Sequence, residues 1–484
     1  MRSATTLAVL ATSLTCSALG QEAPQAPTQG GAWLTVESLP RAGADADPRG
    51  RLLALGRRVA ERLPAPLRSL AVPTRGALRL GVVLVETPDR PRPASFAAPA
   101  LWERALFSRD GYRRTPSGQP AFGSLADWYA ENSGGALAVS GRVFEWVRID
   151  AARADLAGRP IPLGQRELLG AALDALLRRE GQDALDGLHA LTFVVAGEMR
   201  GLRRGSVLWP HSALLLHRGR AWRYYVMTSG LERFEPIGVH CHELGHVLGI
   251  LDKYGSGPGT GLGQWCAMAT GAHGGRGGLP LDTPTSSPCR TARRLLEANL
   301  EDGLGWLREL LRPGGSPGTQ ATPSSGEARP LHLCAVCKLR LGWSNPARVD
   351  PRRVTRLALR AIETDPGQAL RIPLDPRGRE ALVLEYRRQV GFDAELPREG
   401  LLVWRTGSPL AALRTFVPFE RVELLAAHGQ ASTDAALRDP RYVPFPTATR
   451  RELVVQGERP GAWRVALRGI EVLGEELRLE VGPP

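Results

Sequence analysis

His242, Glu243 and His246 form a histidine pair four residues apart, with a glutamate after the first, in a stretch of helical periodicity at residues 236–251. On a helix this spacing sets both imidazoles on one face about a turn apart, where they can hold one zinc ion. Glu243 then projects beside the metal and can take a proton from water there. Gly249 follows His246 by three residues, and Asp252 follows Gly249 by three more. A helix can stop at that glycine, turn through a conformation only glycine adopts cheaply, and bring Asp252 back toward the ion. Asp252 is the expected third ligand, the alternative being an ordinary turn aspartate; a carboxylate there leaves a fourth position open, as catalytic zinc requires. The implied chemistry is hydrolysis, with the metal polarising a carbonyl and Glu243 acting as general base and then as proton donor to the leaving amine. His211 and His273 are candidates for orienting substrate or replacing a ligand. His240 falls on another helix face than His242, and Cys241 points away from the metal as a small packed residue.

The elements that must position this motif read as an α/β alternation. A buried-strand pattern begins at Leu78, and Ser124 is placed to cap a helix running to Asn132. Further strands are expected at residues 136–149, 188–197 and 222–230, and helices at 164–179 and 236–251. The folded part begins near Gly76; residues 21–75, around an amphipathic stretch at 52–63, read as a pro-segment or linker. Gly, Ser and Pro punctuate residues 255–330, with an insertion at about 281–330 that holds one helix-like segment, 291–311. A helical pattern resumes at 331–341. Beyond Pro346 the apolar residues come in short runs separated by turn residues, which favours a β-rich domain over 346–484.

Arg2, the apolar run from Leu7 to Leu14, and the small residues Ala18 and Gly20 before Gln21 have the layout of a secretory signal peptide over residues 1–20. The run is shorter than the roughly 20 residues a bilayer span needs, and Ser13 argues against a lipid anchor at Cys16. No later stretch is long and apolar enough to cross a membrane, so the mature chain is expected to be secreted or periplasmic. Removal of the signal leaves Cys241, Cys266, Cys289, Cys334 and Cys337, an odd set whose pairing the sequence does not decide. A structural zinc at Cys266, Cys289, Cys334 and Cys337 is the alternative, and the single CxxC weakens it. No cysteine lies between Gln21 and Arg75, so a pro-segment thiolate cannot block the zinc.

At 484 residues the chain has room for two or three domains, and 43 % hydrophobic with 23 % charged residues excludes global disorder. The net charge of +13 would normally suggest an anionic partner. Yet the only lysines are Lys253 and Lys338, and the arginines are scattered, which with 55 Gly and 39 Pro looks like the coding bias of a GC-rich genome. No nucleic-acid partner is expected.

HELGHVLGILDKY (242–254) resembles the immune inhibitor A family of secreted bacterial metallopeptidases, related to the metzincins, whose zinc motif has the form HExxHxxGxxD. Other segments are similar to that family: 123–141, SVLWPHS (206–212), WCAMATGAHGG (265–275), LHLCAVCKLRLGW (331–343) and 382–405. The resemblance implies an α/β metzincin-like zinc peptidase domain over 76–345, a mixed sheet with an active-site helix, followed by a β-rich, sandwich-like C-terminal domain. It implies a secreted zinc endopeptidase acting on extracellular proteins, with Met268 in a Met-containing turn beneath the zinc. Tyr254 is a candidate for a place behind the ligands or at the developing oxyanion. Gly255, where the family carries an acid, and the insertion at 281–330 depart from the pattern. A structural calcium belongs to the same expectation, though no loop of EF-hand spacing names its ligands. The competing reading is a catalytically silent relative that serves as an extracellular binding protein. Cleavage specificity and oligomeric state are not legible.

Overall fold

The computed structural model describes residues 32–41, 72–199, 202–203, 205–229, 236–254, 261–274, 329–407, 421–427, 442–447 and 449–484. The expected signal peptide, the stretches 52–63 and 291–311, Gly255 and Cys289 lie outside them. From Trp33 onward the chain forms one compact unit.

Its first half runs β1 (Leu34–Thr35), β2 (Gly76–Glu86), α1 (Pro99–Phe107), α2 (Leu125–Ser133), β3 (Leu137–Val143), β4 (Val147–Arg148), α3 (Arg153–Ala157), α4 (Ile161–Gln165), α5 (Ala171–Glu180), β5 (Ala190–Ala196), β6 (His211–His217), β7 (Arg220–Ser229) and α6 (Ile237–Val247). The second half runs α7 (Ala335–Arg340), β8 (Ala347–Arg348), β9 (Thr355–Arg360), β10 (Ala369–Pro373), β11 (Glu380–Arg387), β12 (Gly400–Gly407), β13 (Arg421–Leu424), β14 (Leu453–Gln456), β15 (Arg464–Leu473) and β16 (Glu476–Gly482).

The first sheet has the order β3-β2-β5-β7-β6, with β4 also on β2. Its pairings are parallel except for the edge strand β6, which runs antiparallel to β7. Alternate residues of β2 serve two cores, as the period of a strand requires. Leu80, Val82 and Leu84 face α1, α2 and α6 through Trp102, Trp128, Tyr129 and Leu244. Val83 and Val85 face α5 through Leu173, Leu176 and Leu177. Ser124 caps α2 reciprocally: its hydroxyl accepts the Asp127 amide at 3.1 Å, and the Asp127 carboxylate accepts the Ser124 amide at 3.0 Å.

The sequence reading differs from these elements in places. The strand expected over 136–149 is interrupted between β3 and β4. The helix expected over 164–179 begins earlier, at α4, and passes through a wide turn at Arg166–Gly170 before α5. Of the helix expected over 331–341, only Ala335–Arg340 is helical. Strand β6 has no counterpart in the reading, because Leu214 and Leu216 face solvent at 50 % and 74 % exposure and spoil its alternation cue.

The second half forms two five-stranded sheets, β1-β9-β16-β15-β14 and β13-β12-β11-β10-β8. Leu357, Leu359, Leu467 and Leu479 of the first meet Leu370, Ile372, Leu384 and Val403 of the second in one apolar cluster. The opposite face of the second sheet, with Val383, Leu402, Trp404 and Leu424, joins the core that holds α2, α6 and α7. That sheet is therefore covered on both sides, and every residue of β11 and β12 is buried. The stretch 346–484, expected as a following domain, shares a core with the part that carries His242. Inside the segment read as pro-segment or linker, Leu34 and Thr35 pair in parallel with Leu357 and Ala358, and Val36 enters the core between the two sheets.

Charged groups are buried where the second sheet meets the first half. Arg387, at the end of β11, donates to Glu363 at 2.7 Å, to Asp393 at 2.8 Å, to Glu385 at 3.3 Å and to the Trp265 carbonyl at 3.1 Å. The Asp393 carboxylate also accepts the His332 amide at 2.8 Å, and that of Glu385 accepts the Ala335 amide at 2.7 Å. Burial pushes the Glu385 pKa up to about 7 even though Arg387 beside it pulls the other way.

Candidate metal centre

Helix α6 packs against β7 and α2. Its apolar residues Ile237, Cys241, Leu244 and Val247 enter the core while His242, Glu243 and His246 share another face. The Tyr129 hydroxyl of α2 donates to the Cys241 carbonyl at 2.8 Å and fixes the helix just before the motif. The helix ends at Val247, and Gly249 follows in a left-handed conformation with φ of 96°. The chain reverses there, as the sequence required of this glycine, and Asp252 returns toward the histidines.

The three expected ligands come together. His242 Nε2 lies 3.1 Å from His246 Nε2, and Asp252 Oδ1 lies 3.1 Å and 3.3 Å from these two nitrogens. Tetrahedral zinc with bonds of about 2.0–2.2 Å spaces its ligands about 3.3–3.5 Å apart, close to this triangle. The tautomers agree with it. His242 Nδ1 donates to the Ala267 carbonyl and His246 Nδ1 to the Ile250 carbonyl, each at 2.8 Å. A carbonyl can only accept, so in the neutral rings both Nε2 atoms turn lone pairs inward. Three lone pairs of His242, His246 and Asp252 at such distances repel one another unless a cation sits between them.

The electrostatics point the same way. Burial opposes a charge on His246, yet Asp252 and Glu243 outweigh it and raise its pKa to about 9. Burial would also raise the Asp252 carboxyl, but the two imidazoles hold it well below the usual carboxylate range. The pocket favours positive charge, and a metal ion must displace a proton from His246 to enter.

Glu243 is 6 % exposed, and its Oε2 has no hydrogen-bond partner. Burial raises its pKa against the opposing pull of His246 and His242. The Tyr254 ring stands 5.7 Å from that of His242. Met268 is fully buried beneath α6, and its carbonyl accepts the Lys253 amide at 2.7 Å, which joins the turn to the segment carrying Asp252.

A Cβ placed on Gly245 would lie 2.6 Å from Met268 Sδ, so this helical glycine is what lets the thioether sit between the two histidine turns. Alanine is the better helix former by about 1 kcal/mol, but overpacking costs about 1–3 kcal/mol. Gly245→Ala is expected to lower the denaturant midpoint, and Gly245→Ala combined with Met268→Ala to recover part of the loss. A midpoint unchanged in the single variant would show that the space is not filled.

The other histidines are elsewhere. His211, at the start of β6, donates through Nδ1 to the Trp209 carbonyl at 2.6 Å and meets the Tyr224 hydroxyl at 3.1 Å through Nε2. Tyr224 belongs to the core on the far side of the sheet from α6, so His211 does not replace a ligand here; burial pushes its pKa down to about 4. His240 is buried against the Tyr225 hydroxyl at 3.1 Å. His273 closes the short helical turn Thr270–His273 and is not among the clustered donors. Sequence reasoning missed the Ala267 and Ile250 carbonyls, for which no side chain could have been a signal. It also missed Tyr129 as the anchor of α6.

Among the described residues, the other cluster of metal-compatible donors is Cys266, Cys334 and Cys337. Neither cluster offers the six or more oxygens that calcium takes. No described helix is long and apolar enough to cross a membrane.

No family model matches the chain. Part of it is related in sequence to the Pre-pro-metalloprotease PrtV of Vibrio cholerae serotype O1, found in two strains, at 29 % identity over 239 residues. The match covers 39 % of this chain and 25 % of the relative, so the chain spans about a quarter of the length of the curated relatives it matches.

Proposed function

We propose that the chain is a secreted zinc-dependent endopeptidase that hydrolyses peptide bonds of extracellular proteins, with an α/β metzincin-like catalytic part of the immune inhibitor A type. The observation that carries this reading is the triangle of His242, His246 and Asp252, whose lone pairs converge because both Nδ1 atoms are committed to carbonyls. The partial likeness to a metalloprotease supports the same class.

Zinc held by His242, His246 and Asp252 would supply Lewis acidity, making water a usable nucleophile near neutral pH and polarising the scissile carbonyl. Glu243 takes the proton of the attacking water and passes it to the leaving amine. Its burial removes competing solvent, and the absence of a hydrogen-bond partner at Oε2 leaves that oxygen available for the transfer. Strand β6 is an edge of its sheet beside α6, and an extended substrate can add to such an edge through main-chain hydrogen bonds. Tyr254, beside His242, is placed to act at the developing oxyanion or to steady that ring.

Casein hydrolysis by the purified chain lacking residues 1–20 tests the reading. Activity is expected to disappear with a zinc chelator, to return with added zinc, and to be absent from His246→Ala together with the metal of the histidine site. A folded, zinc-loaded protein that leaves casein and a panel of peptides intact would favour a silent binding relative instead.

A further inference from the structure

Cys266 lies just before the Met268 turn, and Cys334 and Cys337 bracket the first turn of α7. All three sulfurs fall within 4.8 Å of one another, and the residues are 0 %, 0 % and 1 % exposed. Cys266 Sγ stands 3.8 Å from Cys337 Sγ and accepts the Cys334 amide at 3.5 Å. We propose that Cys266, Cys334 and Cys337 together hold a second, structural zinc ion, distinct from the one assigned to the histidines.

The number of sulfurs and their spacing carry the argument. A disulfide would use two of them and leave the third as a buried thiol at its side. The 3.8 Å between Cys266 and Cys337 is far beyond an S–S bond of about 2.05 Å. It matches the separation of about 3.75 Å that tetrahedral zinc imposes on sulfurs bound at about 2.3 Å. An amide N–H aimed at Cys266 Sγ favours thiolate over thiol. Three sulfurs gathered in an apolar interior can share one cation as thiolates, and soft thiolate ligands select zinc among the common divalent ions. Among the described residues no His, Asp or Glu joins the three.

The site has a structural task. Ala267, next to Cys266, supplies the carbonyl that orients His242, and its amide donates to the His332 carbonyl at 3.0 Å. An ion shared by Cys266 and α7 would clamp this turn from below. The inference does not rest on peptidase activity.

The test is the zinc content of the purified full chain and two variants, with cobalt substitution as a second readout. The unmutated chain is expected to hold two zinc ions, and His246→Ala and Cys337→Ser one each. Cobalt in His246→Ala is expected to give the intense thiolate-to-metal absorption, absent in Cys337→Ser. Should Cys337→Ser not fold, the His246→Ala protein decides alone, by its remaining zinc and by X-ray absorption showing sulfur neighbours at about 2.3 Å. A metal-free His246→Ala protein without thiolate absorption, a different metal at the thiols, or a disulfide between any two of the three cysteines in the native protein would overturn the proposal. A silent enzyme with the thiol-bound zinc in place would count against the peptidase reading alone.

Discussion

Glu243→Ala is expected to keep the zinc content of the unmutated chain while lowering casein turnover about 10²- to 10⁴-fold, the usual worth of a positioned general base. The geometry separates the two effects. The ligand triangle is built by His242, His246 and Asp252 and by carbonyls at Ala267 and Ile250, none of which touches the Glu243 side chain through a hydrogen bond. Glu243 itself is buried with one carboxylate oxygen unpartnered, an arrangement that costs stability and that folding alone does not explain. Thermal unfolding of the variant should therefore occur at the same temperature or a higher one. Full turnover in Glu243→Ala would sink the assignment of the base while leaving the metal site standing.

The largest expected effect on stability comes from Arg387→Met. Its guanidinium serves three carboxylates, of Glu363, Glu385 and Asp393, and the Trp265 carbonyl, all inside the protein. Removing one partner of a buried ion cluster leaves the others uncompensated, at a cost of about 3–5 kcal/mol. Methionine fills much of the volume, so lost packing contributes little. Denaturant unfolding should show the loss, and a variant that also replaces Asp393 and Glu363 by apolar residues should recover much of it. An unfolding midpoint that does not move in Arg387→Met would mean that the cluster is not closed to water.

The site was the most legible part of the chain because its signals are local. HExxH fixes two donors by helix geometry, and Gly249 announces the reversal that returns Asp252. The cap at Ser124 was readable for the same reason. What escaped depends on partners distant in sequence. The orienting carbonyls carry no side-chain signature, and Arg387 reaches Trp265 across a separation that periodicity does not sense. Strand β6 was hidden by apolar residues on its solvent face. The β-rich stretch over 346–484 was inferred from turn spacing; within it ALVL (381–384) and LLVW (401–404) are short continuous apolar runs, the mark of strands covered on both faces.

That double covering bears on when the proposed site can form during synthesis. During synthesis the helix with both histidines emerges long before β11, whose arginine holds the Trp265 carbonyl and whose apolar face completes the core beneath α6. Contacts of this range form late, after the chain can close long loops. A nascent or truncated polypeptide ending before β11 displays the ligand sequence without the packing that holds the turn under it. Formation of the proposed site is thus tied to the arrival of β11.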